Sequence, residues 1–138
     1  NMIYTRDYEI EKDDFVAAGE VSARIKNKLK QLGVNPALIR KIAIASYEAE
    51  INMIIHSLGG HMQLDIDEDS ITITCADIGP GIPDIDLAMQ EGYSTASDTV
   101  REMGFGAGMG LPNMNKNSDN MHIESSPAGT TVTLKFQM

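Results

Sequence analysis

Apolar residues recur along this chain with two different periods, and each period predicts a different element. Over residues 13–32 they return every three or four positions, which predicts an amphipathic helix that Gly33 ends. The same spacing resumes at Pro36, a residue suited to the first turn of a helix, and continues towards the breaker Gly59. The first half of the chain is therefore predicted to hold two consecutive helices.

Alternation of apolar and polar residues, the period of a strand with one buried face, marks most of the remaining chain. It is loose over residues 2–10, where it predicts an edge strand. Short helices are predicted at 86–91 and from Leu111 to about residue 117. Four further strands are predicted at 61–66, 70–77, 120–125 and 130–136. This order predicts a single α+β domain over residues 1–138, with a mixed sheet covered on one face by helices.

Composition and charge narrow the classes of function. The chain of 138 residues carries 20 acidic and 11 basic residues, a formal net charge of -9, which disfavours nucleic acid as a partner. Cys75 is the only cysteine, so no internal disulfide can form, and no apolar run approaches transmembrane length. We therefore expect a globular, cytoplasmic protein with neither a membrane nor a nucleic-acid partner.

Glycine occupies every second position from Gly104 to Gly110, immediately before a predicted helix. Backbone amides at a helix N-terminus, with no side chains in the way, suit the binding of phosphate. Such loops also serve as linkers and lids, and this one lacks the lysine and hydroxyl residue of the P-loop spacing. A phosphate-binding loop is thus a hypothesis that needs support from elsewhere in the chain.

Two polar residues interrupt an apolar stripe of the second predicted helix, which we expect to be largely buried. Glu48 and Asn52 lie one helical turn apart, whereas Glu50 points about half a turn away and is interpreted as a solvated charge. One interpretation of the pair is structural, with both side chains bonded to loop amides. The other is functional: Asn52 offers an oxygen to Mg²⁺, and Glu48 stands beside it as a base.

A third candidate lies at the end of the strand predicted at 70–77. Asp77 shares the inward parity of the apolar residues in that strand and is followed by Gly79, Gly81 and Pro83. A carboxylate at the core-facing end of a strand, next to two glycines, suggests the floor of a pocket that accepts a hydrogen bond from a purine amino group. The alternative is an Asx-type turn that closes the strand.

These candidates belong to four motifs that stand in a fixed order along residues 44–136. The motifs are Glu48-x-x-x-Asn52, Asp77-x-Gly79-x-Gly81, Gly106-x-Gly108-x-Gly110 and Gly129-Thr130-Thr131. Together they resemble the ATPase superfamily of gyrase, the heat-shock chaperones, histidine kinases and MutL. Within that superfamily, the short chain and the sequences after Glu91 and Gly106 look like the bacterial anti-sigma-factor type of serine kinase, most closely the switch kinases of stress-signalling modules.

The resemblance implies a two-layer α/β sandwich, the Bergerat-type ATP-binding fold, with ATP held between helices and a mobile lid, here residues 93–109. Asn52 would be the Mg²⁺ ligand and Glu48 the general base. Asp77 would bind the adenine amino group, assisted by Thr130 through water. Two glycines would shape the adenine pocket and three would bracket the phosphates: Gly79 and Gly81, then Gly106, Gly108 and Gly110.

Two further residues have weaker assignments. His56 matches a position often held by histidine in these kinases, but packing suffices to explain it. Arg101 could reach a γ-phosphate, and a solvated lid position explains it at least as well.

The resemblance also implies an activity, that of an ATP-dependent serine/threonine kinase acting on a STAS-type partner, an anti-sigma antagonist. A sigma factor and a second copy of the chain are further candidate partners. Two alternatives stay open. One is a nucleotide-gated module that sequesters a regulator with little turnover, and the other is the catalytic domain of a histidine kinase cut from a longer receptor.

Overall fold

The computed structural model describes residues 2–82, 84–90 and 110–138, and these residues include a five-stranded sheet. The order of the strands across the sheet is β1-β2-β3-β5-β4. The strands are β1 (Met2–Ile10), β2 (Gly60–Asp67), β3 (Ser70–Asp77), β4 (Asn120–Ser126) and β5 (Gly129–Gln137). The edge position predicted for the first strand and the bounds predicted for the other four are confirmed to within about two residues.

Four helices accompany the sheet in the described residues. They are α1 (Glu20–Gln31), α2 (Pro36–His56), α3 (Ile85–Ala88) and α4 (Gly110–Asn117). Helix α2 begins where predicted, because Asn35 Oδ1 accepts a hydrogen bond from Ala37 N at 2.8 Å and Pro36 occupies the first turn. None of these helices combines the length and the apolar character that crossing a membrane requires.

The sheet is antiparallel throughout the described strands, so the predicted mixed sheet is wrong in this respect. The reason lies in the connection between β1 and β2. Helices α1 and α2 run out and back, so the chain returns to the end of β1 that it left, and Ile10 pairs with Gly60. A parallel neighbour would need a single crossover to the opposite end of the strand.

One face of the sheet forms the core with the helices, as the two-layer prediction required. In β2, for example, Met62 and Leu64 are buried whereas His61 and Gln63 are exposed. The core also takes Ile25 from α1 and other apolar residues from α2 and α4. Helix α2 is less enclosed than expected, since Ile44 and Tyr47 on one flank remain 45% and 40% exposed.

Helix α1 begins at Glu20, later than the predicted start at residue 13. Residues 13–19 form turns, and both Asp13 (φ 57°) and Gly19 (φ 91°) have left-handed backbone conformations that interrupt a helix. Phe15 and Ala18 nevertheless pack against the core. Their helical spacing in the sequence therefore reflects the burial of a loop rather than a turn of helix.

Glu50 is buried, so its interpretation as a solvated charge is wrong. The residue is 1% exposed, and its carboxylate accepts hydrogen bonds from Gly19 N (3.0 Å), Val21 N (3.2 Å) and Ser22 N (2.9 Å). Amides at a helix N-terminus have no partner within the helix, and the helix dipole favours a negative charge there. Glu50 lies on the flank of α2 that faces α1, and the periodicity of α2 alone does not reveal these amides.

Replacing Glu50 with alanine is expected to lower the free energy of unfolding by about 2–4 kcal/mol, because three amides lose their acceptor. The control is Glu20→Ala at an exposed position of the same helix end, where we expect a change below about 0.5 kcal/mol. Urea unfolding followed by circular dichroism measures both. An equal effect of the two substitutions would contradict the role given to Glu50.

Candidate nucleotide-binding site

A cleft of about 30 Å³ lies between α2, α4 and the adjoining ends of β3 and β5. That is room for about one or two water molecules, well below the roughly 300–1,000 Å³ of sites that enclose a whole small molecule, so a nucleotide bound here would lie largely outside it. Apolar side chains form much of its wall, with a few polar groups among them, which is the usual composition of a ligand pocket. The polar side chains that line it are Asn52, His56, Asp77 and Thr130.

Asp77 lies at the end of β3 with the inward parity that the sequence predicted. Its Oδ1 accepts a hydrogen bond from Thr130 N at 2.9 Å, so the bond joins β3 to β5 rather than closing the local turn considered as an alternative. Burial raises the pKa of Asp77 above its ordinary value, and the bond from Thr130 offsets part of that shift. The carboxylate keeps acceptor capacity for a donor in the cleft.

Cys75 lies two residues before Asp77 and also lines the cleft. It is 3% exposed, and burial together with the nearby Asp77 charge raises the pKa of the thiol to about 12. The thiol therefore acts as an apolar part of the wall.

Thr130 is connected to a residue that the sequence did not indicate. Its Oγ1 lies 2.8 Å from Ser125 Oγ, and Ser125 Oγ also accepts a hydrogen bond from Ile82 N at 2.7 Å. Ser125 thus joins the end of β4 to both β5 and the segment after β3. It stands outside the four sequence motifs, and only its parity with Ile123 on a strand pointed to this face.

The two glycines after Asp77 hold that segment in place. Gly81 has φ +78°, and a Cβ at this position would lie 2.2 Å from Ser126 O and 2.8 Å from Ser125 Oγ. Gly79 donates from its backbone N to Ala128 O at 3.3 Å. The segment therefore passes so close to the β4–β5 turn that only glycine fits at residue 81.

Glu48 and Asn52 face the N-terminus of α4. A Cβ placed on Gly110 would lie 3.7 Å from Glu48 Oε2 and 4.0 Å from Asn52 Oδ1. Asn113, one turn into α4, donates a hydrogen bond from Nδ2 to Glu48 Oε1 at 3.3 Å. The structure thus brings together the polar pair of α2 and the last glycine of the glycine-rich loop.

A model of the histidine kinase-like ATPase domain family matches residues 13–136. The chain belongs to this family. Among curated relatives, serine/threonine-protein kinase RsbT of Bacillus subtilis is 29% identical over 116 residues, which cover 81% of this chain and 79% of the relative. An anti-sigma F factor of Clostridium novyi is 32% identical over 117 residues, covering 80% and 78%. The resemblance drawn from the four motifs is therefore confirmed.

Solved structures show the same fold at low sequence identity. The RsbU and RsbW domains of a Mycobacterium tuberculosis protein match with a TM-score of 0.58 at 17% identity, over 95% of this chain and 32% of theirs. This chain thus spans about a third of that solved chain. The SiaB–SiaC complex from Pseudomonas aeruginosa matches with a TM-score of 0.60 at 11% identity, over 98% and 89%.

Other residues implied for a histidine kinase-like ATPase domain divide into two groups. Gly106, Gly108 and Arg101, and with them the expected lid at 93–109, lie outside the described residues. His56 lines the cleft, and although the residue is exposed overall, partial desolvation of its ring lowers its pKa, which favours the neutral imidazole at pH 7.

The polar atoms at the edge of the cleft suit a magnesium ion shared with a phosphate ligand. The described residues contain no group of three histidine, cysteine, aspartate or glutamate side chains able to hold a metal ion on their own. Magnesium, however, is commonly bound by one or two protein oxygens, with phosphates and waters as its other ligands. Asn52 Oδ1 offers such an oxygen beside Gly110, with the carboxylate of Glu48 next to it.

Asp77→Asn is expected to leave the ligand-free protein at least as stable as the wild type at pH 7. Because burial raises the folded-state pKa of Asp77, the contribution of this carboxyl to stability is complete below its ordinary value of 3.8 and is lost as pH rises through the folded-state value. Any stability that the Asp77→Asn variant gains over the wild type at pH 7 should therefore disappear near pH 3. Thermal unfolding across this pH range tests it, with the exposed Asp86→Asn as control. A loss of stability at pH 7 would contradict it.

Gly81 and Gly33 form a matched pair for a second stability test. Both have a left-handed backbone, with φ +78° and +74°, but a Cβ on Gly33 would meet nothing within 4 Å. Gly33→Ala should cost about 1 kcal/mol of unfolding free energy, from backbone strain alone. Gly81→Ala should cost about 3 kcal/mol or more, because Ser126 O must also move. Similar losses in denaturant titrations would show that the segment after β3 has more room than the structure gives it.

Proposed function

We propose that this chain is a single domain that binds Mg-ATP and transfers its γ-phosphoryl group to a serine or threonine of a partner protein. The observation that carries the proposal is the convergence of two sets of residues around one cleft. Asp77 and Thr130 line the end that would hold adenine. Asn52 lines the other end and lies next to Glu48 and Gly110, where the phosphates would lie. The kinase named among the relatives supports the reaction.

At the adenine end, the carboxylate of Asp77 accepts a hydrogen bond from the amino group of the base. Thr130 assists through water, and Gly79 and Gly81 keep the backbone close enough to form the pocket. At the other end, the amides around Gly106, Gly108 and Gly110 bind the phosphates, since the first turn of α4 offers unpaired N–H groups.

Asn52 would hold the magnesium ion through its side-chain oxygen. When bound, the ion offsets the charge of the phosphates and of the group in transfer. Glu48 accepts the proton of the attacking hydroxyl as the new bond to the γ-phosphorus forms and the bond to the ADP oxygen breaks. The products are ADP and a phosphorylated side chain, and Glu48 later releases its proton to water.

The partner is proposed to be a STAS-type protein, the anti-sigma antagonist of a partner-switching module. Relatives named as anti-sigma F factors support a regulatory partner, as does the structural neighbour solved as a SiaB–SiaC complex. The reaction would take place in the cytoplasm, where ATP is available. A sigma factor and a second copy of this chain are further partners to examine.

The second candidate function is a nucleotide-gated module that sequesters a regulator with little turnover. It is favoured by the relatives named as anti-sigma F factors, which are up to 35% identical to this chain. The two functions share the nucleotide site and differ in the importance of Glu48, because sequestration does not need a general base.

Glu48→Gln and Asn52→Ala separate binding from transfer. The first substitution keeps the shape and removes basicity, so Mg-ATP should bind normally while phosphorylation of the STAS-domain partner falls about 10²–10⁴-fold. The second should weaken Mg-dependent binding and transfer together. Titration calorimetry measures binding, and radiolabel transfer to the STAS-domain protein encoded nearest to this chain measures the reaction. Glu68→Gln, which makes the same chemical change in the exposed turn between β2 and β3, is the control.

Transfer at the wild-type rate by Glu48→Gln would remove Glu48 as the base. A wild type that binds Mg-ATP tightly and binds the partner without phosphorylating it would favour sequestration. A wild type that binds no adenine nucleotide would contradict both functions.

A further inference from the structure

Ser125 occupies a junction between three segments of the adenine end of the cleft. It lies near the end of β4, accepts a hydrogen bond from Ile82 N, and shares a second bond with Thr130 Oγ1. Thr130 N in turn binds Asp77 Oδ1. The residue therefore contacts both the segment after β3 and the hydroxyl group that lines the cleft beside Asp77.

The hydrogen-bonding capacity of the two hydroxyls restricts how they can be oriented. Each hydroxyl donates one hydrogen bond and accepts up to two. The Ser125–Thr130 bond uses one of the two protons. If Ser125 donates to Thr130, the proton of Thr130 is available to a ligand in the cleft. If Thr130 donates instead, Ser125 Oγ accepts from both Thr130 and Ile82, and the remaining proton belongs to Ser125.

Adenine and guanine present opposite patterns of hydrogen-bond donors and acceptors to Asp77 and Thr130. Adenine carries an amino donor beside a ring-nitrogen acceptor, whereas guanine carries a carbonyl oxygen beside a ring N–H donor. The Asp77 carboxylate is an acceptor, so it suits the adenine amino group and repels the guanine oxygen. The orientation in which Ser125 donates makes the Thr130 hydroxyl a donor, directly or through a water, to the adjacent ring nitrogen of adenine.

We propose that Ser125 is a positioning residue that makes this site select adenine over guanine. It acts through the Thr130 hydroxyl, whose orientation it sets, and through the backbone of Ile82, which it holds against the β4–β5 turn. The close approach required at Gly81 is an independent sign that this contact is tight, because a Cβ there would lie 2.8 Å from Ser125 Oγ. The inference rests on the proposed nucleotide-binding function.

The test compares the affinities of the full chain for Mg-ADP and Mg-GDP by titration calorimetry, with GDP measured by displacement where it binds weakly. The wild type should prefer ADP by about 10²-fold or more, because unmatched buried polar groups strongly disfavour the wrong base. Ser125→Ala should reduce this preference about tenfold, mainly by weakening the binding of Mg-ADP. Ser125→Thr, which keeps the hydroxyl, should restore it.

Ser126→Ala is the matched control. Ser126 is the next residue, is exposed, and uses its hydroxyl to accept a hydrogen bond from Ala128 N in the turn. Its substitution should leave the ratio of the two dissociation constants unchanged. If Ser125 had a merely structural role, its substitution would instead lower the melting temperature and weaken the binding of both nucleotides equally, without changing the ratio of their dissociation constants.

Two further variants keep the test decisive if Ser125→Ala folds poorly. Ser125→Cys replaces the hydroxyl with a slightly larger thiol that hydrogen-bonds much more weakly, so it should narrow the preference for ADP over GDP as well. In a Thr130→Val background, Ser125→Cys should change the ratio of the two dissociation constants much less than it does in the wild type, because only the contact with Ile82 N remains to be weakened.

The outcomes separate this inference from the proposed function. A wild type that binds neither nucleotide overturns both. A wild type that binds ADP, together with Ser125 variants that keep the full preference, overturns the role of Ser125 and leaves the nucleotide site standing. A narrowed preference in Ser125→Ala and Ser125→Cys, but not in Ser126→Ala, supports the role.

Discussion

The position of helix α2 is the constraint on which the rest of the structure depends. This helix packs against α1 on one flank and α4 on the other, and it lies over the sheet. Two carboxylates only two residues apart therefore point in different directions, since each residue turns the helix by about 100°. Glu50 holds the first amides of α1, whereas Glu48 faces the first turn of α4. Any rotation of α2 would therefore disturb the contacts at the N-termini of α1 and α4 at once.

The end of the cleft proposed to hold adenine depends instead on contacts between segments that are distant in the chain. Asp77 and Thr130 are 53 residues apart, and Ile82 and Ser125 are 43 apart. Pairing of β3 with β5 brings these segments together. The site is therefore assembled only when the sheet is complete, and a partly folded chain that has formed α1 and α2 would have no pocket for a base.

Much of the fold can be predicted from the sequence because local periodicity determines it. Strands β2 to β5 alternate clearly and α2 has a strong start at Pro36, and their predicted bounds agree closely with the structure. The start of α1 does not, because Phe15 and Ala18 repeat the spacing of a helix while lying in a loop. The uniform antiparallel pairing also escapes prediction, since it follows from how the helix pair returns the chain.

The residues of the candidate site also divide into those that the sequence reveals and those that it does not. Asp77, Asn52 and Glu48 can be found because each places a polar group where the pattern demands an apolar one. Ser125 and Asn113 cannot, because a serine in an edge strand and an asparagine on a helix surface are ordinary residues there. The interpretation of Glu50 fails for a related reason: its partners are backbone amides, which the sequence does not display.

The buried cysteine gives this protein a natural reporter. With a thiol pKa of about 12, only about one Cys75 in 10⁵ is a thiolate at pH 7, and the wall of the cleft shields the sulfur from reagents. Alkylation of the native chain should therefore require a local opening of β3, and the rate of alkylation would report how often β3 opens. Since the chain has a single cysteine, a nucleotide that closes the cleft would be visible as slower labelling at one known atom.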